Sequence, residues 1–304
     1  MKVNTWRSIS RNWELYLLML IPLAFLILFS YVPMYGIQIA FREFRPLDGI
    51  TGSQWVGLRH FEHFVTGHMF SRVMINTIAL SIYLVVASFP IPIIFAILIH
   101  YIPLPRFRKI VQTISYAPNF ISVVVMSGLI ILFLGERSGM VNDVIELFGG
   151  SRTNFLGIPE MFRSVFVWTD VWQFMGFSSI IYIAALAGVN PELHEAAMVD
   201  GASILSRVRH IDLPSIAPTI VILFILRVGQ LLSIGFEKVL LLQNPMNLSA
   251  SEIISTYVYK VGILSPLGEF SYAAAVGLFT SVINVILLVS VNAFAKKVGE
   301  TSLW

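Results

Sequence analysis

Long apolar runs separated by short polar segments dominate the chain, and their length is the first clue to its architecture. A helix needs about 20 apolar residues to cross the hydrocarbon core of a bilayer. Six runs are long enough, and they cover residues 15–40, 73–99, 110–134, 162–186, 216–236 and 272–295. The pattern predicts an all-α polytopic membrane protein with six transmembrane helices that form a single transmembrane domain over residues 1–304.

Composition also favours a membrane protein. Of the 304 residues, 57% are hydrophobic and only 12% are charged, about half the charged share of an average soluble domain. The net charge is +3, but the basic residues are scattered at the ends of the apolar runs, which is typical of helix ends next to lipid. We therefore expect membrane lipid and no nucleic acid among the partners. The absence of cysteine excludes disulfides and thiolate metal sites.

Lysine and arginine near the span ends predict the orientation, because these residues are enriched in cytoplasmic loops. The leader before the first run is basic, and the run itself is too long for a cleaved signal peptide, so it should remain as an anchor. The loops on the opposite side are longer and mix basic with acidic residues. The basic residues that share one side are Lys2, Arg7, Arg11, Arg106, Arg108, Lys109, Lys296 and Lys297. Both termini should therefore be cytoplasmic.

Motifs for catalysis are missing from the sequence. No Gly-x4-Gly-Lys-Ser/Thr loop is present, so the chain should not cradle nucleotide phosphates itself. His194 and Glu195 start like a zinc-protease motif, but Met198 stands where the second histidine is required. His60 and His63 are spaced like loop histidines without a further ligand. With no nucleophile and base in a recognisable arrangement, we expect no enzyme, no bound metal and no cofactor in this chain.

A polar segment between the fourth and fifth runs, residues 190–215, has the signals of two short helices and a turn. Asn190 is a suitable N-cap and Pro191 a suitable first helical residue. Asp200-Gly201 predicts the turn, because glycine permits a positive φ. The second helix should start after Ser203, reach about His210 and end at Leu213-Pro214, since the residue before proline is pushed out of the α region.

The surface of this loop is suited to contact with another protein. Glu195 offers a fixed charge, and the small side chains of Ala196 and Ala197 allow a close approach. The physical alternative is an ordinary amphipathic hairpin at the lipid headgroups. Residues alone leave the two interpretations about equally supported.

A resemblance decides between them. The loop contains Glu195-Ala196-Ala197, Asp200-Gly201-Ala202 and Ile211-x-Leu213-Pro214, and this pattern resembles the signature loop, or EAA motif, of permease subunits in bacterial ATP-binding-cassette (ABC) importers. Tyr31-Val32-Pro33-Met34-Tyr35-Gly36 is similar to the first span of the branch that imports oligosaccharides and polysaccharides, within the maltose-permease-like superfamily. One position departs, since Val208 stands where the sugar permeases commonly have an aromatic residue.

The resemblance implies a type I ABC importer permease fold in the bacterial cell membrane. The chain would pair with a second homologous permease, two ABC ATPases that bind ATP and magnesium, and an extracytoplasmic solute-binding protein. The first loop helix would be a coupling helix docked in a groove of the ATPase. Its docking residues would be Glu195, Ala196, Ala197, Asp200, Gly201 and Ala202, with Ile211, Leu213 and Pro214 anchoring the hairpin to the fifth span.

Polar and aromatic residues inside the spans are candidates for a translocation path, because polar groups in a membrane are costly. They are Trp168, Asp170, Trp172 and Gln173 in the fourth span and Arg227 and Gln230 in the fifth. Aromatic faces suit sugar rings, and the polar groups suit hydroxyls or uronate carboxylates. The alternatives are an aromatic belt at the interface for the tryptophans and structural pairing for the charged residues.

The sequence therefore predicts one permease subunit of an ATP-driven importer, with an oligo- or polysaccharide as the substrate. The rival hypothesis is a stand-alone secondary transporter or channel driven by an ion gradient, in which residues 190–215 are only a surface hairpin. A membrane-embedded enzyme is the third possibility, and no motif supports it.

Overall fold

The computed structural model describes residues 12–266 and 268–299. The basic leader residues Lys2, Arg7 and Arg11, used above for orientation, lie outside the described residues. Within them, five helical segments are long and apolar enough to cross a membrane, and a bent pair of helices makes a sixth span. In chain order these spans are Trp13–Phe41, His68–His100, Pro105–Phe120 with Val123–Phe133, Pro159–Ala187, Ile204–Val228 and Phe270–Lys297.

Proline residues shape the first two spans. The first consists of helix α1 (Trp13–Leu26), a π-helical turn (Ile27–Tyr31) and a 3-10 segment (Val32–Phe41) whose second residue is Pro33. Residues between the first span and the second form the strands β1 (Arg42–Glu43) and β2 (Gln54–Trp55), which pair antiparallel, and the helices α2 (Gly49–Gly52) and α3 (Arg59–Thr66). The second span comprises α4 (His68–Ser88) and α5 (Pro90–His100). Pro90 opens α5, where no backbone N–H is required.

The third span is broken. Helix α6 (Pro105–Tyr116) continues into a 3-10 turn (Ala117–Phe120), and α7 (Val123–Phe133) follows at an angle of 98°. The Ser122 hydroxyl caps α7 by accepting from the backbone N of Val125 at 3.3 Å, and Gln173 Nε2 donates to the freed carbonyl of Ile121 at 3.0 Å. A break in a span is tolerated when protein groups bond the freed backbone. The run predicted at 110–134 is therefore interrupted by a sharp bend.

The fourth span packs at the centre of the core. It is preceded by the surface helix α8 (Met140–Leu147) and a short 3-10 turn (Phe155–Gly157), and it forms one unbroken helix, α9 (Pro159–Ala187). Phe162, Phe166 and Val167 are fully buried in a cluster that includes side chains from the second and third spans. A Cβ added at Gly176 would collide with the carbonyl group of Ser115, so only glycine permits this approach of α9 to α6.

The fifth span differs from its prediction at both ends. It follows the loop helix α10 (Pro191–Val199). It starts with α11 (Ile204–Arg207), passes through a π-helical turn (Val208–Asp212) and continues as α12 (Leu213–Val228). The predicted helix end at Leu213-Pro214 is wrong, because the wide π-turn accommodates a proline that has no N–H to donate. The helix ends before residue 236, since the backbone N of Leu232 bonds the side chain of Asn284 at 3.1 Å instead of a helical carbonyl.

Between the fifth and sixth spans the chain forms short buried helices instead of a simple loop. Asn244 Nδ2 donates to the carbonyl of Leu156 at 2.8 Å, and the backbone N of Ile254 donates to Thr77 Oγ1 at 2.9 Å. These bonds fix the segment against the second span and against the 3-10 turn that precedes the fourth. Its elements are α13 (Phe236–Leu242), α14 (Leu248–Ser251), α15 (Ile254–Tyr259) and a π-helical turn (Lys260–Leu264), and the sixth span, α16 (Phe270–Gly299), follows.

The chain divides into two compact units. One comprises the residues up to Thr66 together with Val258–Leu278, and the other comprises Gly67–Tyr257 together with the residues from Phe279 onward. The loop and the cavity described below belong to the second unit. The single transmembrane domain over residues 1–304 stays a prediction.

Candidate functional site

The loop between the fourth and fifth spans begins with a well-capped helix, α10 (Pro191–Val199). The Asn190 side chain accepts from the backbone N of Glu192 at 3.0 Å, as expected for an N-cap. At the other end Gly201 adopts φ +74°, its N donates to the Met198 carbonyl at 3.1 Å, and the N of Ala202 donates to the Ala197 carbonyl at 2.8 Å. These two bonds are a Schellman motif. The turn predicted at Asp200-Gly201 is therefore confirmed.

The predicted docking residues lie on and around this helix. Glu195, Ala196, Asp200 and Gly201 are exposed, and Ala197 and Ala202 are half-buried. Large apolar side chains are exposed beside them, namely Leu193, Met198, Val199, Ile204 and Leu205, with Val199 at 88%. An exposed apolar surface that also presents a carboxylate is suited to a protein groove. The docking role itself stays a prediction.

The residues expected to anchor the hairpin are part of the fifth span itself. Ile211 lies in the π-turn, and Leu213 and Pro214 begin α12 without a break in the helix. Ile211 and Leu213 are half-buried, whereas Pro214 is exposed. The loop is therefore continuous with the span, and a displacement of α11 acts directly on it.

A cavity of about 900 Å³ lies between the second, third, fourth and fifth spans and α13. Four of the six predicted path residues line it: Asp170, Gln173, Arg227 and Gln230. Aromatic residues form much of the remaining wall, namely Phe89, Phe166, Phe174, Phe177, Tyr182 and Phe236. Such a wall combines flat apolar faces with a few polar groups, as ligand cavities commonly do.

The other two predicted path residues are not in this lining. Trp168 and Trp172 are 53% and 51% exposed, and Trp168 Nε1 donates to the Tyr83 hydroxyl at 3.0 Å. Residues two apart on a helix point to opposite sides, so Asp170 and its neighbouring tryptophans cannot face the same cavity. A translocation role for the two tryptophans stays a prediction without support from the cavity geometry.

Lys238 is a cavity residue that the sequence did not single out. Its side chain is 4% exposed, and its Nζ lies 3.9 Å from Asp170 Oδ1 and 5.4 Å from the centre of the Phe166 ring. Within the described part of the chain, this ammonium has no hydrogen-bond partner. Glu237 also lines the cavity, so the wall has two acidic and two basic side chains. The available signal was a lysine inside the apolar stretch 236–242.

Gly235 explains how α13 reaches this wall. Its φ is +49°, and a Cβ on it would lie 2.5 Å from the Phe166 ring. A side chain at this position would push α13 and Lys238 away from the cavity. Arg227, which also lines the cavity, donates from Nη2 to Ser88 Oγ at 3.4 Å.

A second polar group lies behind the loop between the fourth and fifth spans. Asp212 is fully buried, with Oδ1 3.2 Å from His194 Nε2, and Oδ2 accepts a hydrogen bond from the Tyr101 hydroxyl at 2.8 Å. His100, His194 and Asp212 place one potential ligand atom each within 4.8 Å of one another, the only such group of three among the described residues. Burial, and then the hydrogen bond to Asp212, raise the pKa of Tyr101 to about 12, so its hydroxyl remains a donor.

Known proteins match almost the whole chain. The family model described as "Binding-protein-dependent transport system inner membrane component" matches residues 15–300. The "Polygalacturonan/rhamnogalacturonan transport system permease protein YteP" of Bacillus subtilis (strain 168) is 42% identical over 95% of this chain and 90% of its own length. "Protein LplB" of the same organism is 37% identical over 99% of this chain and 94% of its own length.

A solved structure is also similar to this chain. It is a chain of the crystal structure of a bacterial ABC transporter involved in the import of the acidic polysaccharide alginate. That chain is 35% identical, with a TM-score of 0.89 over 98% of this chain and 100% of its own length. The all-helical polytopic fold predicted from the sequence is thereby confirmed.

Proposed function

Because this chain belongs to the family of inner membrane components of binding-protein-dependent transport systems, we propose that it is the permease subunit of an ATP-driven saccharide importer. The family resemblance read from the loop is confirmed by the match over residues 15–300. As a multi-pass inner membrane component of a transport system, the chain is not an enzyme and has no cofactor of its own. ATP and magnesium are assigned to partner ATPases.

The observation that carries this proposal is the exposed coupling helix α10. Both of its ends are fixed by capping bonds, and it presents Glu195 among exposed apolar side chains. Spans four and five enter and leave the loop directly, so a partner that moves α10 pulls on both. Cytoplasmic ATPases are the proposed partner at this surface, and both chain termini are proposed to lie on the same cytoplasmic side.

The remaining partners follow from the same reasoning. We propose a heterodimer with a second homologous permease, in which this chain supplies half of the translocation pathway. Two ABC ATPases bind the coupling loops, and an extracytoplasmic solute-binding protein delivers the saccharide to the outer face. The bent third span and the cavity beside it give this half of the pathway a wall that can change shape.

An acidic oligo- or polysaccharide is the proposed substrate. Aromatic rings of the cavity wall suit the apolar faces of sugar rings. Lys238 and Arg227 offer charged donors for a uronate carboxylate, and Asp170 and Gln230 accept or share hydrogen bonds from hydroxyls. Relatives named for polygalacturonan and for alginate support the same class.

The test is purification of the chain from its native membrane, followed by reconstitution in proteoliposomes. We expect a second permease and an ATPase to copurify, and uptake of labelled oligogalacturonate to require ATP and the binding protein. Uptake that follows an ion gradient without ATP would instead establish the stand-alone transporter. A neutral maltooligosaccharide serves as the control substrate. Equal ATP-driven uptake of both sugars would contradict the preference for acidic saccharides but not the importer function.

A further inference from the structure

One buried carboxylate joins three segments behind the coupling helix. Asp212 lies in the π-turn of the fifth span, His194 lies on α10, and Tyr101 directly follows the second span. Asp212 Oδ1 lies 3.2 Å from His194 Nε2, and Asp212 Oδ2 accepts from Tyr101 at 2.8 Å. The link between the second and third spans and the loop between the fourth and fifth therefore meet at a single side chain.

The contact with His194 requires a proton between the two side chains. Asp212 is 0% exposed and His194 14%, and in the described residues neither Oδ1 nor Nε2 has a hydrogen-bond partner, although the two atoms lie 3.2 Å apart. A carboxylate oxygen only accepts, so an unprotonated imidazole nitrogen facing it would be repelled. A proton on Nε2 makes the short distance to the buried carboxylate electrostatically favourable, without the geometry of a hydrogen bond.

Neighbouring side chains hold Tyr101 and the link between the second and third spans in place. Arg207 lies over the Tyr101 ring, 5.4 Å from its centre, and the His100 ring is 6.0 Å from that of His194. Arg108 Nη2 donates to the carbonyls of His100 at 3.3 Å and Ile102 at 2.7 Å, which fixes the link between the second and third spans. Tyr101 is thus presented to Asp212 by a rigid turn.

Resting on the proposed function, we propose that Asp212 is a positioning residue that transmits movement of the coupling helix to the second and third spans through His194 and Tyr101. The covalent chain alone connects α10 to the fourth and fifth spans. The two contacts of Asp212 add a noncovalent connection to the other two cavity-forming spans. A docked ATPase then moves four spans of this subunit together.

The first test measures coupling in the reconstituted transporter. Asp212→Asn, His194→Gln and Tyr101→Phe should keep ATP hydrolysis and lower the saccharide transported per ATP, with Asp212→Asn losing about fivefold or more. Tyr101→Phe removes only one hydroxyl group, so it provides the same test if Asp212→Asn inserts poorly into the membrane. The double variant Tyr101→Phe/Asp212→Asn should be no worse than Asp212→Asn, because both changes remove one shared contact.

The matched control is His210→Gln. His210 is an exposed imidazole on the same segment, and its Nδ1 contacts the Ser206 carbonyl at 2.9 Å. This variant should keep the wild-type ratio of transport to ATP hydrolysis. A wild-type ratio in Asp212→Asn, or an equal loss in His210→Gln, would overturn the proposal.

The second test measures the connection itself in the full chain in nanodiscs, without ATP. The sequence has no cysteine, so spin labels can be placed at Val199→Cys and Leu104→Cys, two positions that are 88% and 65% exposed. Double electron–electron resonance should give a narrow distance distribution that Asp212→Asn broadens and His210→Gln leaves unchanged. An unchanged distribution in Asp212→Asn would overturn the proposal.

Two further outcomes separate this proposal from others. If EDTA broadens the wild-type distribution, a metal ion held by His100, His194 and Asp212 makes the connection, and the protonated contact is overturned. If the wild-type chain forms no ATP-hydrolysing assembly, the proposed function fails. The proposed transmission of movement through Asp212 then fails too, even where the spin-label distances show that Asp212 holds α10 in place. A loss of coupling in the Asp212, His194 and Tyr101 variants, but not in His210→Gln, supports both the proposed function and the proposed transmission.

Discussion

Lys238 faces Asp170 across 3.9 Å without forming a hydrogen bond, in the wall of a 900 Å³ cavity. The Phe166 ring lies under the same ammonium at 5.4 Å. The charge is therefore balanced in part, while its N–H donors remain open to an acceptor in the cavity. This arrangement suits a site that binds an anion reversibly.

Replacing Lys238 should affect acidic and neutral sugars differently. Lys238→Met is expected to lower uptake of oligogalacturonate about tenfold, because a hydrogen bond to a charged group contributes about 1.5–3 kcal/mol. Uptake of a neutral maltooligosaccharide, where it occurs, should change little. Lys109→Met, an exposed lysine outside the cavity, is the control. A loss that is the same for both sugars would mean that Lys238 is needed for folding and not for recognition.

Uptake of acidic sugars should also depend on pH. Burial lowers the pKa of Lys238 to about 8, and Asp170 opposes that shift. A lysine is charged below its pKa, so the attraction for a carboxylate is present below pH 8 and is lost as the pH rises through 8. Initial uptake rates of oligogalacturonate measured between about pH 6.5 and 9 should fall relative to those of the neutral sugar. Parallel profiles would count against a charged Lys238 in the path.

The carboxylate on the coupling helix should matter for coupling and not for folding. Glu195→Ala is expected to weaken stimulation of the ATPase by substrate-loaded binding protein, because it removes a partner-facing charge and no core volume. Expression and thermal unfolding should stay unchanged. Glu136→Ala, an exposed carboxylate in the loop between α7 and α8, is the control. Unchanged stimulation in Glu195→Ala would reduce the loop to a passive surface hairpin.

The Schellman cap of α10 should be sensitive to a Cβ at Gly201, where φ is +74°. Gly201→Ala is expected to destabilise the cap by about 1 kcal/mol, which corresponds to about fivefold faster hydrogen–deuterium exchange in the peptide 191–202. Gly201→Asn should be milder, because asparagine tolerates this region better. Gly188→Ala is the control, since Gly188 has φ −85°.

The contact of Gly176 with Ser115 predicts a loss of stability from one methyl group. Gly176→Ala should lower the free energy of unfolding by about 1–3 kcal/mol, the usual cost of overpacking. Gly128→Ala, in a helical position with nothing within 4 Å of an added Cβ, should not destabilise and should stabilise by up to about 1 kcal/mol, because alanine is the better helix former. Thermal unfolding in detergent followed by tryptophan fluorescence measures both. Equal melting temperatures would mean that α6 and α9 separate easily.

Sequence patterns predicted the spans well because apolar length is the main requirement of a bilayer. They are less informative where a protein partner replaces a helical hydrogen bond. Gln173 bonds the Ile121 carbonyl and Asn284 bonds the N of Leu232, and these contacts break the third span and end the fifth. Hydropathy does not encode contacts between residues more than 50 positions apart.

The loop was easier to predict than the cavity. Asn190 and Gly201 act on their own neighbours, so local rules were sufficient for α10. Asp170 and Lys238 are brought together by the fold, and periodicity alone would have separated Asp170 from Trp168 and Trp172. The helix end predicted at Pro214 was wrong because the π-turn before it accommodates the missing N–H, and a π-turn has no recognised sequence signal.

The π-turn at Val208–Asp212 also sets how the two ends of the fifth span are rotated relative to each other. It contains one residue more per turn than an α-helix, and one residue corresponds to about 100° of rotation. Removing a single residue there would restore a regular helix and turn the docking loop around the helix axis relative to Arg227 and Gln230. Insertions and deletions within these five residues would therefore rotate the loop about the axis of the fifth span. The number of residues in the π-turn should be far less free to vary than the number in the outer loops.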